Sequence, residues 1–208
     1  FWDGEEKGLL GSSHFVRVSP DGMNGRRVVL SVNLDMIGRL RGNRLEVYGT
    51  RTAHGLREMV VQANNRPSHA AGLDLAFVWD IEEDSDHFPF IAARFPTVMF
   101  HTGLHDNYHR PSDDVHLVNL PGIEPVARLA LGFVAAVADD PAAIPPFRDA
   151  CRAESNTTRN RLEAAATEGV SGPRGRWGIS TRDDPGEPDA PVVVHVWKGS
   201  PAQLAGLM

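Results

Sequence analysis

The stretch Arg27–Leu34 reads Arg-Val-Val-Leu-Ser-Val-Asn-Leu and is followed directly by Asp35. The run is β-branched and nearly continuous in apolar residues, a pattern typical of a central strand that is covered on both faces. In open α/β sheets, ligands gather outside the carboxyl ends of the strands. Asp35 therefore stands at a position where a functional side chain is expected.

Helical and strand-like patterns alternate along the chain on both sides of this stretch. The hydrophobic periodicity predicts four helices, at Gly8–Val16, His54–Asn64, Phe88–Ala93 and Ile123–Ala138. It also predicts three further strands, at Arg44–Tyr48, Leu73–Val78 and Thr97–His101. Alternating elements of this kind favour an α/β sandwich with helices on both faces of the sheet.

The composition and net charge of the chain limit the kinds of molecule that it is expected to bind. Of the 208 residues, 21 are Lys or Arg and 27 are Asp or Glu, which gives a net charge of −6. Without a basic stripe, nucleic acid is not an expected partner. No apolar run reaches the ~18–20 residues of a membrane span, so none is predicted. Cys151 is the single cysteine, which excludes an intrachain disulfide.

The composition changes after residue 139. Pro, Ala, Arg, Asn and Gly dominate up to residue 176, with a short helical pattern at Arg159–Ala166. Beyond this segment, Trp177–Ser180 and Val192–Trp197 read as strands, and Pro201–Leu207 could open a helix. The predicted organisation is a main domain at residues 1–140, a linker at 141–175 and a small β-rich module at 176–208.

Three groups in this chain could carry metal chemistry: the adjacent pair Glu5-Glu6, Asp35 and His109. Carboxylate and imidazole groups suit Zn²⁺, and a zinc site that keeps an open position can activate water. Of two adjacent carboxylates, one can bind the metal while the other accepts a proton. Taken singly, each group also has an ordinary structural explanation, as a solvated glutamate pair, a turn or cap aspartate and a loop histidine.

Four ordered segments make a more specific pattern together, and they stand in the chain as FWDGEEKGLLGSSH (1–14), VNLDMIGR (32–39), SDHFPF (85–90) and FHTGLHDNYHRPSD (100–113). In these segments the chain resembles the co-catalytic di-zinc aminopeptidases, family twenty-eight of the metallopeptidases. The resemblance implies an α/β fold, a three-layer α-β-α sandwich of the zinc-exopeptidase type. It also implies peptide or protein substrates and two zinc ions.

The resemblance assigns roles to residues of this chain. Glu5 is implied as the general base, Glu6 and His109 as ligands of one zinc, and Asp35 as a ligand of the other. Tyr108 matches a family tyrosine whose phenol can donate to a developing oxyanion, with simple packing beside a ligand as the alternative. The reaction implied is hydrolysis by a metal-bridged water, with Glu5 moving the proton to the leaving amine.

Three further side chains near these segments are expected to have no catalytic role. Asp113 either caps the following segment or orients an imidazole, and we expect capping. Asp86 and His87 lie in an acidic loop that the family places near the substrate pocket, and a solvated loop is the competing explanation.

The family pattern is incomplete in this sequence. Members carry a His-x-Asp segment and a further, metal-bridging Asp that would precede Phe1. We therefore expect the chain to be a fragment at both ends, with a sheet that is incomplete at the N-terminus and an exposed apolar edge. As it stands, it is expected to bind zinc weakly and hydrolyse little, because neither ion has three protein ligands.

The C-terminal segment resembles the opening of a PDZ domain, so a partial, β-rich PDZ-like module is expected there. The matching stretches are Arg176–Ile179, Gly199–Ala202 and Ala205–Leu207. PDZ domains bind a peptide as an added strand. An ordinary β-hairpin is the alternative.

The leading hypothesis is a zinc aminopeptidase with a PDZ-like module. A glutaminyl cyclase or a carboxypeptidase on the same scaffold stays open, as does a non-catalytic peptide-binding scaffold with a degenerate metal site. Family habit implies a periplasmic or secreted protein. The oligomeric state is not predicted.

Overall fold

The computed structural model describes residues 2–18, 28–66, 70–140, 142, 144–168 and 176–207, with only the backbone at 188–190. By its contacts the chain divides into two compact units, Phe1–Ala153 and Glu154–Met208. The functional division at residues 140 and 176 stays a prediction.

The described residues of the first unit form four strands and four α-helices, near the predicted positions. The strands are β1 Ser31–Leu34, β2 Arg44–Tyr48, β3 Asp74–Val78 and β4 Thr97–His101; the helices are α1 Leu10–Val18, α2 Leu56–Asn65, α3 Phe88–Ala92 and α4 Leu120–Asp139. The bounds predicted for β2 and β4 are confirmed. Of the predicted Arg27–Leu34 strand, only the last four residues form β1, and Arg27 lies outside the described residues.

The four strands form one mixed sheet in the order β1-β4-β2-β3. β1 pairs in parallel with β4, β2 pairs in parallel with β3, and β4 and β2 are antiparallel. Our expectation that the first strand is central and covered on both faces is wrong for the described sheet. β1 is an edge strand with half-buried residues, whereas all five residues of β4 are buried.

β4 is covered on both faces, since its five residues are buried and successive side chains point to opposite faces of the sheet. On one face, Phe100 meets Phe133 of α4 edge to face, with ring centroids 6.2 Å apart. On the opposite face, Met99 contacts the side-chain amide of Asn33 in β1, which also donates to Ser85 Oγ (2.8 Å). The described part of the unit is therefore a mixed α/β fold in which α4 packs on one face of the sheet.

α4 begins three residues earlier than predicted because Asn119 caps it. The Asn119 side chain accepts a hydrogen bond from the backbone N–H of Gly122. This bond satisfies a backbone donor in the first turn of α4 that has no partner within the helix. By length and composition alone, α4 could cross a membrane, but a core helix passes the same test. Val126, Leu129 and Phe133 are fully buried in the core.

The described residues of the second unit form a two-stranded antiparallel sheet and two α-helices. β5 Ile179–Asp184 pairs with β6 Glu187–Val196, and the helices are α5 Asn156–Thr167 and α6 Pro201–Leu204. α5 contacts both strands, so this part of the predicted linker is folded against the hairpin. The PDZ-like character of the module stays a prediction.

Candidate metal centre

Glu5 and Glu6 lie in a single 3-10 turn, Glu5–Lys7, that leads into α1. Gly4 (φ 66°) and Gly8 (φ 95°) flank the turn in left-handed conformations that favour glycine. The described residues before the turn, Trp2–Gly4, contain no strand. The tight turn presents both carboxylates together at the start of the helix.

His109 reaches this turn from a distant segment. Its Nε2 lies 3.2 Å from Oε1 of Glu6, and the two side chains are 56% and 70% exposed. An exposed ion pair of this kind contributes only ~0–1 kcal/mol. His109 also has φ 55°, a left-handed conformation that is uncommon outside glycine. The pair is therefore held by the surrounding backbone rather than by its own attraction.

The Glu6–His109 spacing fits a shared zinc ion. Two donors at ~2.0–2.1 Å from a tetrahedral Zn²⁺ lie roughly 3.3 Å apart, close to the 3.2 Å observed. Among the described residues, no group of three or more His, Cys, Asp or Glu side chains is arranged to hold a metal. The described chain thus presents two donors of suitable type and spacing.

Asp35 follows β1 and faces the same cavity. Its backbone N–H donates to the carbonyl of Phe100 (3.1 Å), which fixes it at the carboxyl end of β1 and β4. The cavity is about 520 Å³ and brings together all five predicted site residues, Glu5, Glu6, Asp35, Tyr108 and His109. The next residue, Met36, has φ 49°, a second uncommon backbone conformation at this site.

The surroundings of Glu5 raise its pKa above the ordinary value. Burial is the largest cause, followed by the negative charges of Asp35, Glu6 and Asp86, while His109 acts in the opposite direction. A carboxylate with a raised pKa holds a proton more strongly once it has accepted one. This favours Glu5 as a proton acceptor.

Tyr108 stacks on His109, with ring centroids 3.8 Å apart and ring planes 21° from parallel. The pKa of its phenol is raised by burial and by the charges of Glu6, Asp35, Glu5 and Asp84. The phenol therefore stays protonated at neutral pH and can donate a hydrogen bond into the cavity.

The expectation that Asp113 caps the following segment is wrong. Asp114 is the capping residue, since its side chain accepts from the backbone N–H of Val115 (2.6 Å). Asp113 instead pairs with Arg39 at 2.6 Å. Arg39 was missed by sequence reasoning, although its position four residues after Asp35 in the VNLDMIGR segment was a usable signal.

The acidic loop before α3 contributes to the cavity through two residues. Glu83 and Asp84 line it. Asp86 instead accepts a hydrogen bond from the buried hydroxyl of Ser12 (2.5 Å), which ties the loop to α1. His87 is 1% exposed, and burial lowers its pKa. Within the described residues, the hydrogen bond of Asp86 and the burial of His87 indicate that both side chains support the fold.

Both a family profile and several solved structures match part of this chain. The sequence profile of Peptidase family M28 matches residues 1–134. Similar structures are the LapA aminopeptidase of Legionella pneumophila (TM-score 0.58, 21% identity over 67% of this chain) and the zinc aminopeptidase BSAP of Bacillus subtilis (0.54, 23%, 65%). An aminopeptidase from Aneurinibacillus sp. strain AM-1 also matches (0.51, 26%, 66%).

The chain spans only part of these structures: 38% of LapA, 34% of BSAP and 32% of the Aneurinibacillus enzyme. A search of curated proteins finds no match. At identities of this size, the similarity to solved structures indicates only a similar fold. The match to the family profile is what indicates common family membership.

Proposed function

The chain belongs to Peptidase family M28, and on this premise we propose that the protein carrying it is a zinc-dependent aminopeptidase. The observation that supports the proposal most directly is the Glu6–His109 contact, in which two zinc-type donors lie 3.2 Å apart. Glu5 stands beside them in the same cavity. Neighbouring structures of similar fold include a zinc aminopeptidase.

Different residues of the cavity have different proposed roles in hydrolysis. Glu6 and His109 would hold one zinc ion and Asp35 a second, and bound zinc supplies an acidified water and a polarised carbonyl. Glu5 accepts the proton of the attacking water and returns it to the leaving amine nitrogen. The phenol of Tyr108 donates to the oxygen on which negative charge develops.

Removal of N-terminal residues is supported by the charges of the cavity. Glu83 and Asp84 line it without being needed for metal or proton transfer, so they are free to attract a substrate ammonium group. A carboxypeptidase needs a cation for the substrate carboxylate. Among the described residues that line the cavity, Arg39 is the only Lys or Arg, and it already pairs with Asp113. This disfavours the carboxypeptidase alternative.

A peptide-binding scaffold with a degenerate metal site is the second candidate. It is favoured by one observation: within the described ranges, no group of three potential ligands is found. A catalytic zinc ion ordinarily has three protein ligands. Zinc binding and turnover by the translated protein separate the two candidates.

The test uses the translation product of the complete reading frame that carries this sequence. After zinc loading, it should release the chromophore from an amino-acid anilide with a free amine, and it should leave the N-acetylated anilide intact. Glu5→Gln should keep zinc while turnover falls roughly 10²–10⁴-fold, the usual contribution of a general base. Glu58→Gln, at an exposed carboxylate on α2, is the matched control.

Three results would contradict the proposal. Full activity of Glu5→Gln would remove the assigned base. Pyroglutamate formation without hydrolysis would identify a glutaminyl cyclase. A translated protein that binds neither zinc nor substrate anilide, but binds peptides, would make the scaffold the better explanation.

A further inference from the structure

The segment after Asp35 holds the loop that carries Tyr108 and His109 at both of its ends. At one end, the backbone N–H of Arg39 donates to Thr102 Oγ1 (3.3 Å), and Arg41 Nη2 donates to the carbonyl of Leu104 (2.5 Å). At the other end, the backbone N–H of Asn119 donates to the carbonyl of Gly38 (2.8 Å). The loop from residue 102 to 119 is therefore anchored along one short stretch.

Arg39 is the member of this stretch that reaches the middle of the loop. Its Nη1 donates to the carbonyl of Leu117 (3.1 Å), and its Nη2 donates to Asp113 Oδ1 (2.6 Å) and, at 3.5 Å, to Asn107 Oδ1. These acceptors lie on both sides of His109 in sequence. One planar guanidinium thus spans the segment that carries the proposed ligand, and its side chain is only 16% exposed.

Direct contacts continue from Asp113 to the proposed metal ligand. The second carboxylate oxygen of Asp113 lies 3.7 Å from His105 Nε2, and the His105 side chain is 8% exposed. His105 meets Tyr108 edge to face, with centroids 6.4 Å apart. Tyr108 in turn stacks on His109 at 3.8 Å.

From these contacts we propose that Arg39 is a positioning residue: through Asp113 and His105, it sets where Tyr108 and His109 stand relative to Glu6. The inference rests on the proposed function for the meaning of that geometry. The contacts themselves do not depend on it.

The loop needs an external support of this kind. Residues 103–114 contain turns but no helix or strand, and His109 has φ 55°. Uncommon backbone conformations persist only where surrounding contacts determine them. The Glu6–His109 pair is too exposed to supply this constraint. Arg39, whose own side chain is only 16% exposed, supplies it through its three hydrogen bonds to the loop.

The geometry requires arginine rather than any cation. A planar guanidinium presents donors in a rigid fork, whereas the lysine ammonium is a single point on a flexible stem. Lysine at position 39 could keep a charge pair with Asp113 but could not also reach Leu117 and Asn107 in the same arrangement. Arg39→Lys therefore tests the fork while keeping the charge.

The experiment compares Arg39→Lys, Asp113→Asn and their double variant with Arg128→Lys in the complete translated protein. Arg128 pairs with Glu124 on the exposed face of α4, so it is a matched arginine outside the site. Hydrogen exchange of the metal-free proteins is measured over peptides covering residues 103–118. Zinc affinity is measured by competition with a chromophoric chelator, and kcat and KM are measured separately.

Each single substitution should speed exchange about tenfold within 103–118, as expected when a charge-assisted hydrogen bond is weakened, with little change elsewhere. Zinc affinity should fall by roughly tenfold, the lower range for residues that orient ligands. The double variant should lose less than the sum of the two single losses, because both substitutions change the same Arg39–Asp113 contact. kcat should fall with little change in KM, since Arg39 acts through other residues.

Unchanged exchange and zinc affinity in Arg39→Lys would overturn the inference. Faster exchange over the whole first unit would also overturn it, because Arg39 would then be a general stability residue. A raised KM with unchanged kcat would indicate that Arg39 binds substrate directly, again against the inference. If the unsubstituted protein binds no zinc, the proposed function fails, while exchange in the metal-free proteins still decides the role of Arg39.

Discussion

The ring of Tyr108 lies against the imidazole of His109 at a centroid distance of 3.8 Å. The two residues are adjacent in one turn, and each has its own proposed role. The stack limits how far either ring can rotate. It therefore places a phenol donor beside a proposed zinc ligand. Tyr108 is also 39% exposed, which keeps its hydroxyl accessible to a substrate.

Replacing Tyr108 with phenylalanine keeps the stack and removes the donor. We expect kcat to fall by about 10²–10³-fold, the usual cost of losing one oxyanion donor. Zinc affinity should stay unchanged because the ring remains. Tyr48→Phe is the control. Tyr48 is the other tyrosine of the chain, and its hydroxyl donates to Glu46 (2.9 Å). An unchanged kcat in Tyr108→Phe would show that Tyr108 matters only for packing.

His109→Asn tests the proposed ligand without disturbing its backbone. Asparagine tolerates the left-handed conformation at this position better than alanine does. We expect zinc affinity to drop by at least about 10-fold, because one of two neighbouring donors is lost. The thermal midpoint of the metal-free protein should not change. His116→Asn, at a 71%-exposed histidine, serves as control. Undiminished zinc binding in His109→Asn would remove His109 from the ligand set.

Much of the fold was predictable because hydrophobic periodicity is a local property. β2 and β4 have the predicted bounds, and α3 differs by one residue. The place of β1 was not predictable in the same way. Its apolar run describes its composition, while its position at the edge depends on which other strands are present in the sheet.

The site was predictable where a residue type itself carries chemistry. Glu5, Glu6, Asp35, Tyr108 and His109 do line one cavity. Partners that depend on long-range geometry were not predictable. The Arg39–Asp113 pair joins residues far apart in sequence, and either residue alone could belong to any solvated surface.

Ser12 offers a test of how α1 is joined to the acidic loop. Its hydroxyl, fully buried, lies 2.5 Å from Asp86 Oδ1. Ser12→Ala leaves that carboxylate without its donor, which should lower the free energy of unfolding by about 1–3 kcal/mol. Urea unfolding of the metal-free protein measures the change.

The control for Ser12 is its neighbour. Ser13→Ala changes an exposed serine on the same helix, and a change within ±0.5 kcal/mol is expected for a surface position. If Ser12→Ala loses no more stability than Ser13→Ala, the contact with Asp86 does not stabilise the fold, because the change in helix propensity from serine to alanine is common to both variants.

His87 makes the stability of the fold sensitive to acid. Burial lowers the pKa of His87 and outweighs the opposing charges of Asp84, Asp35 and Asp86. Its Nδ1 is buried, and no described residue forms a hydrogen bond with it. The folded protein therefore favours the neutral imidazole. The unfolded chain, by contrast, takes up a proton below about pH 6.5, the ordinary value for histidine.

The sign of the effect follows from proton linkage. Above about pH 6.5 the imidazole is neutral in both states, and below it the unfolded state binds more protons, so stability should fall as the pH is lowered further. His87→Gln removes this proton uptake and should flatten the loss of unfolding free energy between pH 7.5 and 5.5. His116→Gln, at an exposed histidine, should leave the slope unchanged. If His87→Gln and the unsubstituted protein lose stability in parallel over this range, protonation of His87 does not limit the acid stability of the fold.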